Sequence, residues 1–121
     1  MFVDGKVAIS GTLRARITLA ATDAIIIADD VRYSVDPASG SCTDILGLFS
    51  GQNVIVANNL INTPFAVDGT NRTYDRDSSD EFIHGIVLAL NSFAAENHDV
   101  GPNNAEDCGV TDWGRGCLFL T

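Results

Sequence analysis

Short, dense apolar runs separated by small and polar corners recur along this chain, and two of the stretches match each other position by position. Ile17 to Val31 runs over Leu46 to Leu60, with Ile25 on Val54 and Asp29 on Asn58, a constant offset of 29 residues (54 − 25 = 29). Each copy reads as an apolar run, a small or polar corner, a denser β-branched run, and then a paired acid or amide, Asp29-Asp30 or Asn58-Asn59. A repeat of this length marks a chain that stacks one supersecondary unit on the next, because a single unit cannot bury its own apolar face. A third copy emerges when Ile86 to Asn97 is laid on Leu48 to Asn59, at an offset of 38 (86 − 48 = 38). An insertion between Ile61 and Phe82 absorbs the difference, since Pro64, Gly69 and the polar run Thr70 to Asp80 have loop chemistry. Phe2-Val3 with Val7-Ala8-Ile9, and Cys117 to Leu120, read as partial copies at the two ends.

Residues 7 to 33 and 45 to 61 are rich in Val, Ile, Thr and Leu and are cut by Gly, Asp, Asn and Ser. Such runs predict short strands paired on both sides. The fold class expected is all-β: a parallel β-helix of about three coils in one module over 1–121, with inserted loops at 62–80 and 97–115. In such a solenoid the strands of successive coils lie about 4.8 Å apart and inward side chains form aliphatic columns. Ile17, Leu19, Ile25, Ile27, Leu46, Leu48, Val54 and Val56 are the expected column members. Ile26 and Ile55 then point outward, toward a covering loop or a partner surface. An α+β alternative places a helix at about 80–97, where Phe82, Ile83, Ile86, Val87, Leu90, Phe93 and Ala94 fall at helical spacing and Ser78 with Glu81 forms a capping box. Gly85 in its middle weighs against that helix.

With 121 residues, 45% of them apolar, the chain supports one domain with a modest core. The longest apolar runs, Ala24 to Ala28 and Ile86 to Leu90, are far shorter than the roughly 20 residues a membrane helix needs. Met1 to Gly5 has neither the basic nor the apolar region of a signal peptide, so an export signal is expected outside this segment. The net charge of −9 is uneven. In residues 1 to 32, Lys6, Arg14, Arg16 and Arg32 balance Asp4, Asp23, Asp29 and Asp30, leaving all the excess acid beyond them. Only Arg72, Arg76 and Arg115 are basic there, so no phosphate-binding face exists and nucleic acid is excluded as a partner. The acidity fits a solvated surface, or a site for divalent cations or a basic partner.

Candidate chemistry is sparse. Asp75, Asp77, Asp80 and Glu81 put four carboxylates in one short loop, the kind of oxygen-rich segment calcium takes. The glycine and distal glutamate of an EF-hand are missing and Arg76 interrupts the run, so a solvated loop is the favoured reading. Asp29, Asp30 and Asp44 form a second candidate, an acidic edge for binding or cleaving polysaccharide, which needs two carboxylates held across one bond. The alignment of Asp29-Asp30 with Asn58-Asn59 favours a corner role instead, since Asp and Asn side chains cap turns. Cys108 and Cys117 bracket a glycine-bearing loop and are the expected disulfide, leaving Cys42 free; three buried thiols are the other possibility. No nucleophile elbow, phosphate-binding glycine loop or His-x-x-x-His motif occurs, and no catalytic or cofactor-binding residue is assigned.

Asp4-Gly5-Lys6-Val7, Gly11-Thr12-Leu13, Arg16 to Ala21, Ile25-Ile26-Ile27 with Asp30 to Tyr33, Asp44 to Leu48 with Asn53 to Val56, and Ile83-His84 with Ala89 to Phe93 together resemble a domain of unknown function in bacterial cell-surface and pilus-assembly-like proteins. The resemblance spans most of the chain except 68–80 and 99–112. Its motifs are structural glycines and strand cores. It implies a right-handed parallel β-helix, exported and carried in a longer polypeptide, with no catalytic residue; the role expected is that of a structural or interaction scaffold in a larger bacterial surface protein. The partners expected are the rest of the parent chain, or other copies meeting through the solenoid ends.

Overall fold

The computed structural model describes residues 1–57 and 82–96. They form eight strands: β1 (Phe2–Val3), β2 (Val7–Leu13), β3 (Arg16–Ala21), β4 (Ile25–Tyr33), β5 (Ile45–Ser50), β6 (Val54–Val56), β7 (Ile86–Ala89) and β8 (Phe93–Ala95). The chain alternates between two four-stranded sheets, ordered β1-β3-β5-β7 and β2-β4-β6-β8, in which every pairing is parallel. Each strand therefore stacks on the strand two elements earlier. The fold is all-β, and the helix of the α+β alternative does not form: Ile86–Ala89 and Phe93–Ala95 are strands of different sheets, separated by a corner at Leu90 to Ser92. The helical spacing there is a by-product of apolar residues at nearly every position, which satisfies a period of 3.6 and a period of 2 alike.

The 29-residue repeat is the ladder register itself. Ile17 lies beside Leu46, Leu19 beside Leu48, Ile25 beside Val54 and Ile27 beside Val56. The third step differs by one from the expectation: Leu48 pairs with Val87 and Val54 with Phe93, an offset of 39 (87 − 48 = 39). One position in a strand exchanges the two faces. Val87 accordingly faces the core and Ile86 is 65% exposed. Hydrogen bonds at the corner set this register: Asn91 N–H donates to Gln52 O at 2.9 Å, Val54 N–H to Ser92 O at 2.8 Å, and Ser92 Oγ to Asn53 Oδ1 at 2.9 Å.

The core lies between the sheets. Leu19, Ile25, Ile27, Leu46, Leu48, Val54 and Val56 are buried as expected, together with Ala21 and Val31, while Ile17 is half-buried against them. Outward-facing Ile26, in a column with Ala8 and Ile55, is covered within the chain, at 6% exposure.

The corners stack as closely as the strands. Thr22 N–H donates to Val3 O at 3.1 Å, Gly51 N–H to Ala21 O at 2.8 Å and Leu90 N–H to Ser50 O at 3.1 Å, so the ladder continues around the bend. Glycine at 51 is required by that closeness, since a Cβ there would stand 2.4 Å from the Thr22 carbonyl oxygen. Ser50, buried at 3%, places its Oγ 2.9 Å from both Asp23 O and Asn53 O and accepts from Gln52 N–H at 3.1 Å. Between β4 and β5 a loop with a short 3-10 turn, Pro37–Ser39, is capped by Asp36 and closed at its neck by Ser34 Oγ donating to Asp44 Oδ2 at 2.7 Å. None of the described residues forms a helix long and apolar enough to cross a membrane.

Candidate functional site at the bend of β4

β4 is too long for a flat ladder. Ile27 pairs with Ile9 but Val31 with Gly11, so Ala28, Asp29 and Asp30 stand opposite Ser10 alone. Surplus residues on one strand bend it and turn side chains out of the sheet. The partner strand accommodates the bend at Gly11, whose φ of 106° is a conformation that L side chains rarely adopt.

The carboxylates at this bend first satisfy backbone. Asp29 Oδ1 accepts from Asp30 N–H at 2.8 Å, and Asp30 Oδ1 accepts from Phe82 N–H at 2.7 Å. Phe82 O in turn accepts from Val31 N–H at 2.8 Å, and His84 N–H donates to Val31 O at 2.7 Å, giving a parallel bridge between Val31 and Ile83. Asp30 thus anchors the incoming third repeat to β4. Its second oxygen meets Arg32 Nη2 at 2.8 Å, and the guanidinium lies 4.1 Å from the centre of the Phe82 ring. Ion pair and cation–π contact share one plane of charge, a geometry that suits arginine rather than lysine. Arg32 Nε is buried and has no hydrogen-bond partner among the described residues.

Beside this group, Tyr33 N–H donates to His84 Nδ1 at 3.0 Å, and the two rings are tilted with centroids 5.2 Å apart. The Tyr33 hydroxyl accepts from Leu46 N–H at 3.0 Å. Pairing of β5 with β7 begins only at Gly47, so the phenol supplies an acceptor where the neighbouring strand has not yet started. A polar notch of about 340 Å³ opens beside the bend, lined by Ser10, Gly11, Thr12, Asp29, Asp30 and Arg32. An apolar hollow of about 180 Å³ lies next to it, reaching Ile9, Leu13, Ile17 and Val31.

Asp44 does not join Asp29 and Asp30. Its Oδ2 is taken by Ser34 Oγ and N–H, and among the described residues no three His, Cys, Asp or Glu side chains gather as a metal site would require. The expected three-carboxylate edge is thereby corrected to a two-carboxylate bend with an arginine. The corner expected at Asp29-Asp30 does not form: both lie inside β4, at its bulge, where their carboxylates accept from backbone N–H instead. The calcium candidate Asp75, Asp77, Asp80 and Glu81 and the disulfide candidate Cys108 and Cys117 lie outside the described residues, as do Asn58 and Asn59. Cys42 is a free thiol, with Sγ 3.9 Å from Asp44 O. The sequence reading missed Arg32, Phe82 and His84. The available signal was the placement of an acid, a base and an aromatic residue at the two ends of a repeat boundary.

Comparison of the chain with protein-family models, with curated proteins and with solved structures returns no match.

Proposed function

We propose that this chain is a module of a right-handed parallel β-helix serving as a structural or interaction scaffold in a bacterial surface or pilus-associated protein, with no catalysis of its own. The observation that carries the reading is the alternation of the chain between two all-parallel sheets, with corners whose hydrogen bonds run on from one layer to the next. Parallel crossovers of this kind are right-handed in about 98% of cases. The polar side chains fit a scaffold as well: Thr22, Asp30, Asp44 and Ser50 each bond to backbone N–H or C=O, or to a residue that does. A layered module of this kind presents long, repeating faces rather than a deep pocket. The partners it suits are the rest of the parent chain, or other copies meeting it through the solenoid ends.

A second reading, a polysaccharide-binding or polysaccharide-cleaving module, is favoured by one observation: the polar notch that Asp29, Asp30 and Arg32 line. Carboxylates and a guanidinium can together hold sugar hydroxyls. Glycan-array binding and depolymerisation assays on the purified protein separate the two readings. Inertness is expected from a scaffold. Binding or cleavage that is lost in Asp30→Asn overturns it in favour of the second reading.

A further inference from the structure

Among the described residues, the outer face of the β1-β3-β5-β7 sheet is apolar and uncovered. Its side chains stand in register: Phe2, Ala20, Phe49 and Leu88 form one outward column, and Thr18, Gly47 and Ile86 a second. Phe2 is 71% exposed, Ile86 65%, Leu88 51%, Ile45 46% and Phe49 40%. Ile26, on the outer face of the other sheet, is covered within the chain, so of the two alternatives expected beside Ile26 and Ile55, cover or partner, it is cover that Ile26 has. The face is also flat at its centre, where the Phe49 ring lies over Gly47, with Cε2 3.1 Å from where a Cβ would stand.

We infer that this face docks a second copy of the chain, sheet against sheet. Charge supports the choice of occupant. In a chain of net charge −9, the outward positions of this sheet carry no carboxylate, and their one charged residue, Arg16, turns its Nε to Thr43 O at 2.9 Å. Two copies can therefore meet here without opposing acids, whereas an anionic lipid surface finds no cluster of Lys or Arg to hold it. Area supports it too. Strands of two, six, six and four residues, spaced by about 4.8 Å and rising about 3.3 Å per residue, make a face of roughly 280 Å² in projection. With its side chains, a self-complementary pair of such faces removes on the order of 1,000 Å² of accessible surface, the lower end of specific interfaces. The dimer is then closed by a two-fold axis, with the sheets about 10 Å apart and their strands within about 30°. An interface of this size is expected to be weak and concentration-dependent.

This deepens the scaffold reading by naming its partner and rests on that reading for its role, while its own support is the register, charge and area of the face. Sedimentation of the protein from low micromolar to near-millimolar concentration tests it, beside Leu88→Lys, Phe49→Lys, and Thr12→Pro on β2, the outermost described strand of the other sheet, each first checked for an unchanged circular dichroism spectrum. The expected result is a saturable dimer whose Kd rises at least tenfold in both lysine variants and is unmoved in Thr12→Pro. A monomer at every concentration overturns the inference, as does association that the lysine variants leave intact. Growth beyond two copies that Thr12→Pro abolishes also overturns it, in favour of end-to-end stacking. Co-sedimentation of a monomeric protein with phosphatidylglycerol vesicles, lost in Leu88→Lys, overturns it in favour of a lipid. Polysaccharide cleavage by an intact dimer would instead sink the scaffold reading and leave the docking standing.

Discussion

Replacing Ile27 by Ala tests the column architecture at one of its most buried positions. Ile27 is 1% exposed and sits between Ile9 and Val56 in the ladder, with Ala95 beyond Val56. The substitution removes three buried carbons, worth roughly 2.4 kcal/mol at about 0.8 kcal/mol each. Its neighbours are held at strand spacing by backbone hydrogen bonds on both sides, so they cannot close the gap, and an unfilled hole of a few tens of Å³ adds on the order of 1 kcal/mol. The expected loss is about 3 kcal/mol, against a total stability of roughly 6–18 kcal/mol for a chain of this length. In urea, with m of about 2 kcal/mol per M, the midpoint should fall by about 1.5 M while m stays constant. Ile86→Ala is the matched control: the same chemistry at a 65% exposed strand position should change stability by no more than about 0.5 kcal/mol. A loss below about half a kcal/mol at Ile27, or equal losses at the two positions, would refute the assignment of inward and outward faces.

Gly51→Ala should cost about 1–3 kcal/mol in the same unfolding assay, because the new Cβ meets the backbone oxygen of Thr22 rather than a side chain that could swing away; a neutral result would mean that the corners are not stacked as closely as described. Ser50→Ala should cost about 1–2 kcal/mol by removing the hydroxyl that joins Asp23, Gln52 and Asn53, with faster hydrogen exchange at Gln52 as its local signature. Tyr33→Phe leaves the Leu46 N–H without its acceptor and should cost about 1 kcal/mol. Exchange at Leu46 should accelerate while Leu48 stays protected, and uniform acceleration along β5 would contradict a local role for the phenol.

Side-chain periodicity carries a great deal in this chain, and its limits are visible at particular residues. The offset of 29 between Ile25 and Val54 was readable because the residues of that ladder differ in kind: β-branched runs alternate with Thr, Ser, Gly and Asp, so only one superposition matches apolar to apolar and corner to corner. Burial of Leu19, Ile25, Ile27, Leu48 and Val54 followed from it. Ile86 to Leu90 is apolar at every position, so shifting it by one costs nothing in hydrophobic matching, and the sequence left the choice between Ile86 and Val87 open to error. Tertiary contacts decide it, through Asn91 N–H on Gln52 O and Ser92 on Asn53, which only one register satisfies. The same holds at the bend. Asp29 and Asp30 are marked in the sequence as polar residues ending an apolar run, but Arg32, Phe82 and His84 come together because the third repeat enters beside β4, some fifty residues later in the chain. Local pattern determines which residues can be strands and which face is apolar; which of two apolar faces is covered, and which distant side chains meet, depends on where the chain returns.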